Sequence, residues 1–414
     1  MKFRIYTFGC KTNQYDSELL RRFFLQFMEE AKSNESPNFV IVNTCAVTHI
    51  AERKARTLIR RLLKNYPDSK LIVTGCYAER DPNSIEAIRN ITVVGNREKE
   101  KIPSILFPKS ELKHPIIDKN PRKMRAFVKI QDGCDDFCSY CIVPYVRGNV
   151  RSRDMQDILE EVKSLVDSDY KEIVLTGIHV GRFETDDGKR LPELLKLISE
   201  IKGIERIRLS SIEPQEVTQD IIEMFGDIPN LCPHLHLVAQ SGSNSVLKVM
   251  KRKYTREEYI TLVERFKRVR PDVEFTTDII VGFPTETERD FKETISLVED
   301  VMYIKVHIFP FSPRPGTEAF NLKPIDRKIV KEREEILKEI SLNIAYNRLK
   351  SFLGTTQNIL VENFSNGIVT GLIPKYVRVY AKADSTVKLE TIMSVSIEKV
   401  EKLKDNVVLS GLIA

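Results

Sequence analysis

At 414 residues the chain exceeds what one hydrophobic core usually serves, so two or three domains are expected. Its 42% hydrophobic and 30% charged residues read as soluble and globular, and the absence of any apolar run near ~20 residues excludes a membrane-spanning helix. A net charge of +6 permits nucleic-acid binding without requiring it. The start MKFRIYTFGC enters a strand with no signal-peptide pattern, so a cytoplasmic location is expected. Seven cysteines there point to metal ligands more than to disulfides.

Residues 2–8 alternate as a strand, and 14–29 have helical spacing, with Leu19, Leu20, Phe23, Phe24 and Phe27 on one side. Phe39–Val42 and Leu71–Thr74 read as buried strands, with helices over 46–65 and from about Glu79. Strands alternating with helices predict a small parallel sheet, whose ligands bind beyond the carboxyl ends of the strands. Cys10, Cys45 and Cys76 each follow one of these strands, and Gly9 and Gly75 would let the backbone approach a bulky group. One such cysteine is commonly a small buried residue. Three at equivalent positions favour a three-cysteine cluster. Arg53, Arg56 and Arg60 form a basic stripe on the helix after Cys45, read either as a solvated face or as an RNA-backbone contact.

Residues 108–124 are polar and Pro/Lys-rich, as in a linker. Beyond them Cys134, Cys138 and Cys141 can reach one metal centre from a single loop. A structural zinc site needs a fourth nearby ligand, and no cysteine or histidine follows until His179. Three thiolates therefore suggest a cubane iron–sulfur cluster with one iron left open. Six candidate strands follow (126–131, 172–176, 205–209, 235–239, 273–281, 303–309), with helices at 155–167, 191–201 and 255–269, which fits a partial (β/α)6 TIM-like barrel. Thr176-Gly177 and Gln240-Ser241 stand at strand ends, and Asp278 is placed to bind ribose hydroxyls. Cys232 and His234 read as packing, with His236 alone directed into the barrel mouth.

A charged helix covers 326–350. Short strands follow at 357–361, 367–372, 377–380, 386–390, 393–399 and 407–411, predicting a small β-barrel. Seven basic residues against six acidic ones give it a weak electrostatic case for RNA, to which Tyr376 and Tyr380 could add stacking.

The Cys-x3-Cys-x2-Cys loop resembles that of the radical S-adenosylmethionine (SAM) enzymes, and the whole chain resembles the radical-SAM methylthiotransferases. The resemblance rests on the six cysteines, Gln-Ser-Gly-Ser at 240–243, Met250, Arg252, Tyr254 and Thr255, and Ser312, Arg314, Gly316 and Thr317. It implies an α/β chain with a small parallel N-terminal domain (1–112), a radical-SAM core (120–350) and an all-β TRAM domain (353–414). It also implies two [4Fe–4S] clusters, an auxiliary one on Cys10, Cys45 and Cys76 and a SAM-binding one on Cys134, Cys138 and Cys141. SAM is expected beside Tyr140, Thr176, Gly177, Gln240, Ser241, Arg252 and Asp278. Reductive cleavage of SAM would activate a C–H bond for a methylthio group carried by the auxiliary cluster. The partners implied are a tRNA anticodon stem-loop and a flavodoxin- or ferredoxin-type electron donor. Gly-Cys-Lys-Thr-Asn at 9–13 resembles the branch acting on N6-threonylcarbamoyladenosine at tRNA position 37. Lys11 is there a candidate cation for the threonylcarbamoyl carboxylate, or a bystander. The alternatives are the isopentenyladenosine branch, the branch modifying a ribosomal-protein aspartate, and a non-catalytic iron–sulfur RNA-binding protein.

Overall fold

The computed structural model describes residues 1–88, 90–108, 124–383, 387, 389 and 391–414. Apart from end residues, the linker expected at 108–124 lies outside that set, and the strand expected at 386–390 falls mainly outside it. The described chain packs as two compact units that do not follow chain order.

The first unit contains the residues up to Pro108 together with Gln131–Ser152 and Ser312–Phe320. Its parallel sheet runs β1 (Lys2–Thr7), β2 (Phe39–Thr44), β3 (Lys70–Gly75), β4 (Ile91–Val93), with the two-residue strand Glu29–Glu30 beside β1 at the edge. Strand β2 is buried throughout and β3 beyond its first residue, as a parallel sheet covered on both faces requires. Leu20 and Phe24 of helix α1 (Lys11–Leu25) pack with Phe3 and Ile41. Ala55, Ile59 and Leu62 of α2 (His49–Asn65) join Val40, Val42 and Val73 in a separate cluster. Helix α2 begins at His49 and not at 46, because Thr48 caps it, accepting from the Ala51 amide at 3.2 Å. Cys45, Ala46 and Val47 thus stay in a loop.

In the second unit six strands appear where periodicity placed them: β5 (Ala126–Lys129), β6 (Glu172–Thr176), β7 (Arg206–Leu209), β8 (His234–Leu237), β9 (Glu274–Val281) and β10 (Lys305–Pro310). They pair in parallel as β5-β6-β7 and, through the short strand Ser211–Ile212, as β8-β9-β10. Helices α3 (Met155–Asp167), α4 (Leu191–Ser199), α5 (Gln219–Asp227), α6 (Arg256–Val269) and α7 (Glu288–Val301) connect them, and α8 (Arg327–Leu349) follows. This is the expected partial (β/α)6 barrel.

Strands β11 (Thr356–Ser365), β12 (Ile368–Leu372), β13 (Arg378–Lys382), β14 (Ile392–Leu403) and β15 (Asn406–Ile413) close a small barrel in the order β11-β12-β13-β15-β14. Ile359, Val369, Val379, Val395 and Leu409 fill it, joined by Leu349 and Phe352. Buried arginines tie it to β6 and β7. Arg206 donates to the carbonyls of Leu372 (2.9 Å) and Asn358 (2.8 Å), and Arg208 to Pro374 (2.9 Å) and to Glu172 (2.7 Å). Burial raises the Glu172 carboxyl, but Arg208, Arg125 and Arg206 outweigh it and hold the group below the usual range. Tyr376, expected as an RNA-stacking ring, is instead used inside this joint. His234 stacks on it at 4.7 Å, and the Arg208 guanidinium lies 5.0 Å from its centroid.

Candidate active site

The first unit brings both cysteine triads into one body. Thr7 pairs with Asn43 and Asn43 with Thr74, so β1, β2 and β3 end flush. Cys45 and Cys76 follow the last paired residues, Thr44 and Gly75, and Cys10 lies three residues beyond Thr7. Gly9 has φ +101°, and a Cβ there would sit 2.9 Å from Cys45 Cβ and 3.1 Å from its sulfur. What Gly9 accommodates is therefore the neighbouring cysteine itself. Burial, and then the charge of Cys76, push the Cys45 thiol up to about 12, with Cys10 adding to the same rise. Cys76 is likewise raised by burial, which Arg147 and Lys99 oppose. Three converging thiols, two buried and Cys10 exposed, fit a cluster that supplies the positive charge thiolates need and leaves one side open.

Asn13 joins the loops. Its amide donates to the carbonyls of Phe8 (2.8 Å) and Thr44 (3.0 Å), while Asn43 donates to the Asn13 carbonyl (2.9 Å). Arg147, 2% exposed, donates to the Asn13 side-chain oxygen and to Asp132 Oδ1 at 2.8 Å. Asp16 lies 3.8 Å from Arg147 and pairs with the buried Lys99. Two cations and two carboxylates thus balance beneath the N-terminal triad. Asp132 is two residues before Cys134 and Asn13 three after Cys10, so a single guanidinium connects the two cysteine loops.

The second triad occupies a tight loop. Gly133 has φ +84°, and a Cβ would fall 1.9 Å from the Asn149 carbonyl, so no larger residue fits. The Cys134 amide donates to Gly148 (2.9 Å), the Asp136 amide to the Cys134 sulfur (3.5 Å) and the Cys141 amide to Cys138 (2.9 Å). Cys134 is buried, and Cys138, Cys141 and Tyr140 are half-buried. Three thiols on one loop, one buried and two half-buried, with no fourth cysteine on that loop, fit a cluster with one exposed iron. The segment Ser312–Phe320 supports both loops. Arg314 donates to the Ala46 carbonyl at 2.9 Å and pairs with Glu52 at 3.1 Å, and the Ala319 amide donates to Ser139 at 2.7 Å.

The residues expected around SAM in the second unit divide into two groups. Thr176 ends β6 in a buried position and Gly177 follows it, half-buried. Gln240 is half-buried with φ +60°, its amide donating to Asp278 O at 2.8 Å. Asp278, half-exposed, lies 3.3 Å from His236 Nε2. The side-chain donors of His236, Asp278 and His307 lie within 4.8 Å of one another on three adjacent strands. Ser241 and Arg252 have partners within the protein. Ser241 is 1% exposed, and its hydroxyl faces Thr294 (3.4 Å) and accepts from the Ser243 amide (3.2 Å). Arg252 is committed to Glu213 and lies 5.0 Å from the Tyr254 ring centroid, whose hydroxyl donates to Ala239 (2.6 Å). Both contribute to the turn after β8. Cys232 and His234 are buried, and burial pushes the Cys232 thiol up to about 11.

The tentative RNA residues also separate. Arg56 donates to the Tyr77 hydroxyl at 2.9 Å, so this guanidinium is held by the protein. Arg53 and Arg60 are exposed, and Lys11 is half-buried at the start of α1. Sequence reasoning passed over Asn13 and Arg147. Asn13 stood within the quoted Gly-Cys-Lys-Thr-Asn segment, whereas nothing local marked Arg147.

With this geometry in place, the chain compares directly with known proteins. Residues 128–298 match the radical SAM superfamily, and residues 2–95 match the uncharacterized protein family UPF0004. A radical SAM methyltransferase, TsrM from Kitasatospora setae, shares the fold with a TM-score of 0.58 over 77% of each chain at 11% identity. The threonylcarbamoyladenosine tRNA methylthiotransferase MtaB of Chlamydia pneumoniae is 39% identical over 97% of this chain and 96% of its own. That of Thermotoga maritima is 38% identical, with 91% and 90% covered. The tRNA-2-methylthio-N(6)-dimethylallyladenosine synthase of Acetivibrio thermocellus is 37% identical, with 87% and 80% covered. The fold and the cysteine loop define a radical-SAM enzyme. More narrowly, the chain belongs to the radical-SAM methylthiotransferase family, whose chemistry uses SAM and [4Fe–4S] clusters.

Proposed function

We propose that this enzyme inserts a methylthio group at C2 of N6-threonylcarbamoyladenosine at position 37 of tRNA, using two [4Fe–4S] clusters. The observation that carries the two-cluster reading is the joining of both cysteine triads in one packed unit through Arg147, Asn13 and Asp132. When bound, the clusters and SAM supply the reducing electron, the radical and the methylthio sulfur. The protein's residues do the rest. Cys10, Cys45 and Cys76 hold the auxiliary cluster with Cys10 on its open side, and Cys134, Cys138 and Cys141 hold the SAM cluster. Arg147 fixes one loop against the other and keeps a positive charge next to the anionic thiolates. The proposed SAM contacts are Tyr140, Thr176, Gly177, Gln240, Ser241, Arg252 and Asp278. The domain division at 1–112, 120–350 and 353–414, the anticodon stem-loop as the recognised element and an external one-electron donor belong to the same reading.

The threonylcarbamoyl substrate is supported by the names of the relatives aligned over nearly the whole chain and by Gly-Cys-Lys-Thr-Asn at 9–13. The substituent carries a carboxylate, which suits the cation of Lys11 immediately after Cys10. A second reading, dimethylallyladenosine as substrate, is favoured by relatives of nearly equal identity. Expression of the chain in bacteria lacking both tRNA methylthiotransferases, followed by nucleoside mass spectrometry, separates the two. The methylthio mass is expected on threonylcarbamoyladenosine, and its appearance only on dimethylallyladenosine would overturn the substrate.

A further inference from the structure

The side of α2 next to the end of β1 carries a cleft of about 520 Å³, lined by Tyr6 and Phe8 from the strand end and by Arg53, Lys54, Leu58 and Arg61 from the helix. Of the Arg53/Arg56/Arg60 stripe visible in the sequence, only Arg53 lines this cleft. Lys54, Leu58 and Arg61 recur at i, i+4 and i+7, so they share one face. Among the described residues no carboxylate lines the cleft, and Arg53, Lys54 and Arg61 are exposed. Arg56, one turn away, differs in being held by Tyr77.

Two half-buried aromatic rings beside three open cations have the composition of a single-stranded nucleic-acid site, where rings stack on bases and cations follow phosphates. From Arg53 to Arg61 the helix rises about 12 Å, enough to serve more than one phosphate. The position is also specific. Phe8 precedes Gly9, which abuts the Cys45 sulfur, and Cys10 is the exposed ligand of the N-terminal triad. A nucleotide held in this cleft therefore lies beside the open side of that triad, where the target adenine must arrive.

Resting on the tRNA reading above, we infer that this cleft binds an unpaired nucleotide flanking the target adenosine, its base against Phe8 and Tyr6 and its phosphates on Arg53, Lys54 and Arg61. The test uses the anaerobically reconstituted holoenzyme and a fluorescent anticodon stem-loop carrying threonylcarbamoyladenosine, with affinity measured across salt concentrations. Each lost single-strand phosphate contact lowers the log–log salt slope by about 0.7, so Lys54→Ala/Arg61→Ala should lower it by about 1.4. Phe8→Leu should weaken binding roughly 5- to 150-fold with the slope unchanged, and Phe8→Tyr should restore it. Iron content and SAM cleavage without tRNA should match the unmodified enzyme in the double variant, whose side chains are exposed. Wild-type affinity and slope in both Lys54→Ala/Arg61→Ala and Phe8→Leu, with the unmodified enzyme binding and modifying the stem-loop, would overturn the cleft and leave the enzyme's function standing. No stem-loop binding by unmodified enzyme that cleaves SAM would overturn the tRNA reading and the cleft with it.

Discussion

Arg147 is almost fully buried and meets Asp132, Asn13 and Asp16, groups contributed by the two cysteine loops and the helix between the strands. Removing its charge strands buried carboxylates, so Arg147→Met is expected to cost roughly 3–5 kcal/mol. The denaturation midpoint of the cluster-free protein reads that loss, and an iron assay should also show weaker retention at the N-terminal triad. An unchanged midpoint and full iron content would show that Arg147 is a bystander. The reverse is expected at Cys232, a buried thiol lodged near Arg208 and Glu172. Cys232→Ser should keep both clusters and most of the activity, and loss of iron in that variant would expose a ligand role. These two residues also mark the limits of reading from sequence. Cys232 was legible as packing because Pro233 interrupts the alternation that would put it on one face with His234 and His236. Arg147 was not, since its partner Asn13 is 134 residues away and an arginine's burial leaves no periodic trace.

At the scale of elements, the strand ends explain most of what could be foreseen. Parallel strands in flush register place the residues after them side by side, so Cys10, Cys45 and Cys76 could be grouped before any coordinates existed. What the strand ends leave out shows in the turn after β8 that holds Ser241, where the polar side chains have partners the sequence does not reveal. Those partners lie on α7. Ser243 donates to Asp290 Oδ1 at 2.6 Å and Ser245 donates to the same oxygen, while Thr287 and Asp290 form the helix's capping box. Burial raises the Asp290 carboxyl, but the hydroxyls of Ser243, Ser245 and Thr287 outweigh it and bring it down to about 2. Against an unfolded value near 3.9, this depression stabilises the folded state. Because the folded value is depressed, the contribution is present above about pH 5 and is lost as pH falls from about 4 toward 2. Chemical denaturation of cluster-free protein should show that decline, and Asp290→Asn should be destabilised at neutral pH with the decline reduced. Equal pH profiles for the two proteins would count against this account of the turn.

At the scale of the whole molecule, the order of the strands and helices was readable from the change in periodicity along the chain. Their packing was not, because Gln131–Ser152 and Ser312–Phe320 leave the neighbours they have in sequence to join the N-terminal sheet. That grouping puts the two triads on a shared support, and the proposed function gives them separable roles. Replacing Cys134, Cys138 and Cys141 by Ala should abolish SAM cleavage. Replacing Cys10, Cys45 and Cys76 should leave some cleavage without methylthiolated product, and normal product from that second variant would contradict the auxiliary-cluster assignment. The central claim, methylthio transfer to threonylcarbamoyladenosine, is tested most directly by one competition. Reconstituted enzyme, SAM and a low-potential reductant are mixed with equal amounts of two anticodon stem-loops, one threonylcarbamoylated and one isopentenylated at position 37, and the nucleosides are analysed by mass spectrometry. The account predicts the methylthio mass on the threonylcarbamoylated adenosine, while product confined to the isopentenylated one, or none on either despite SAM cleavage, would contradict it.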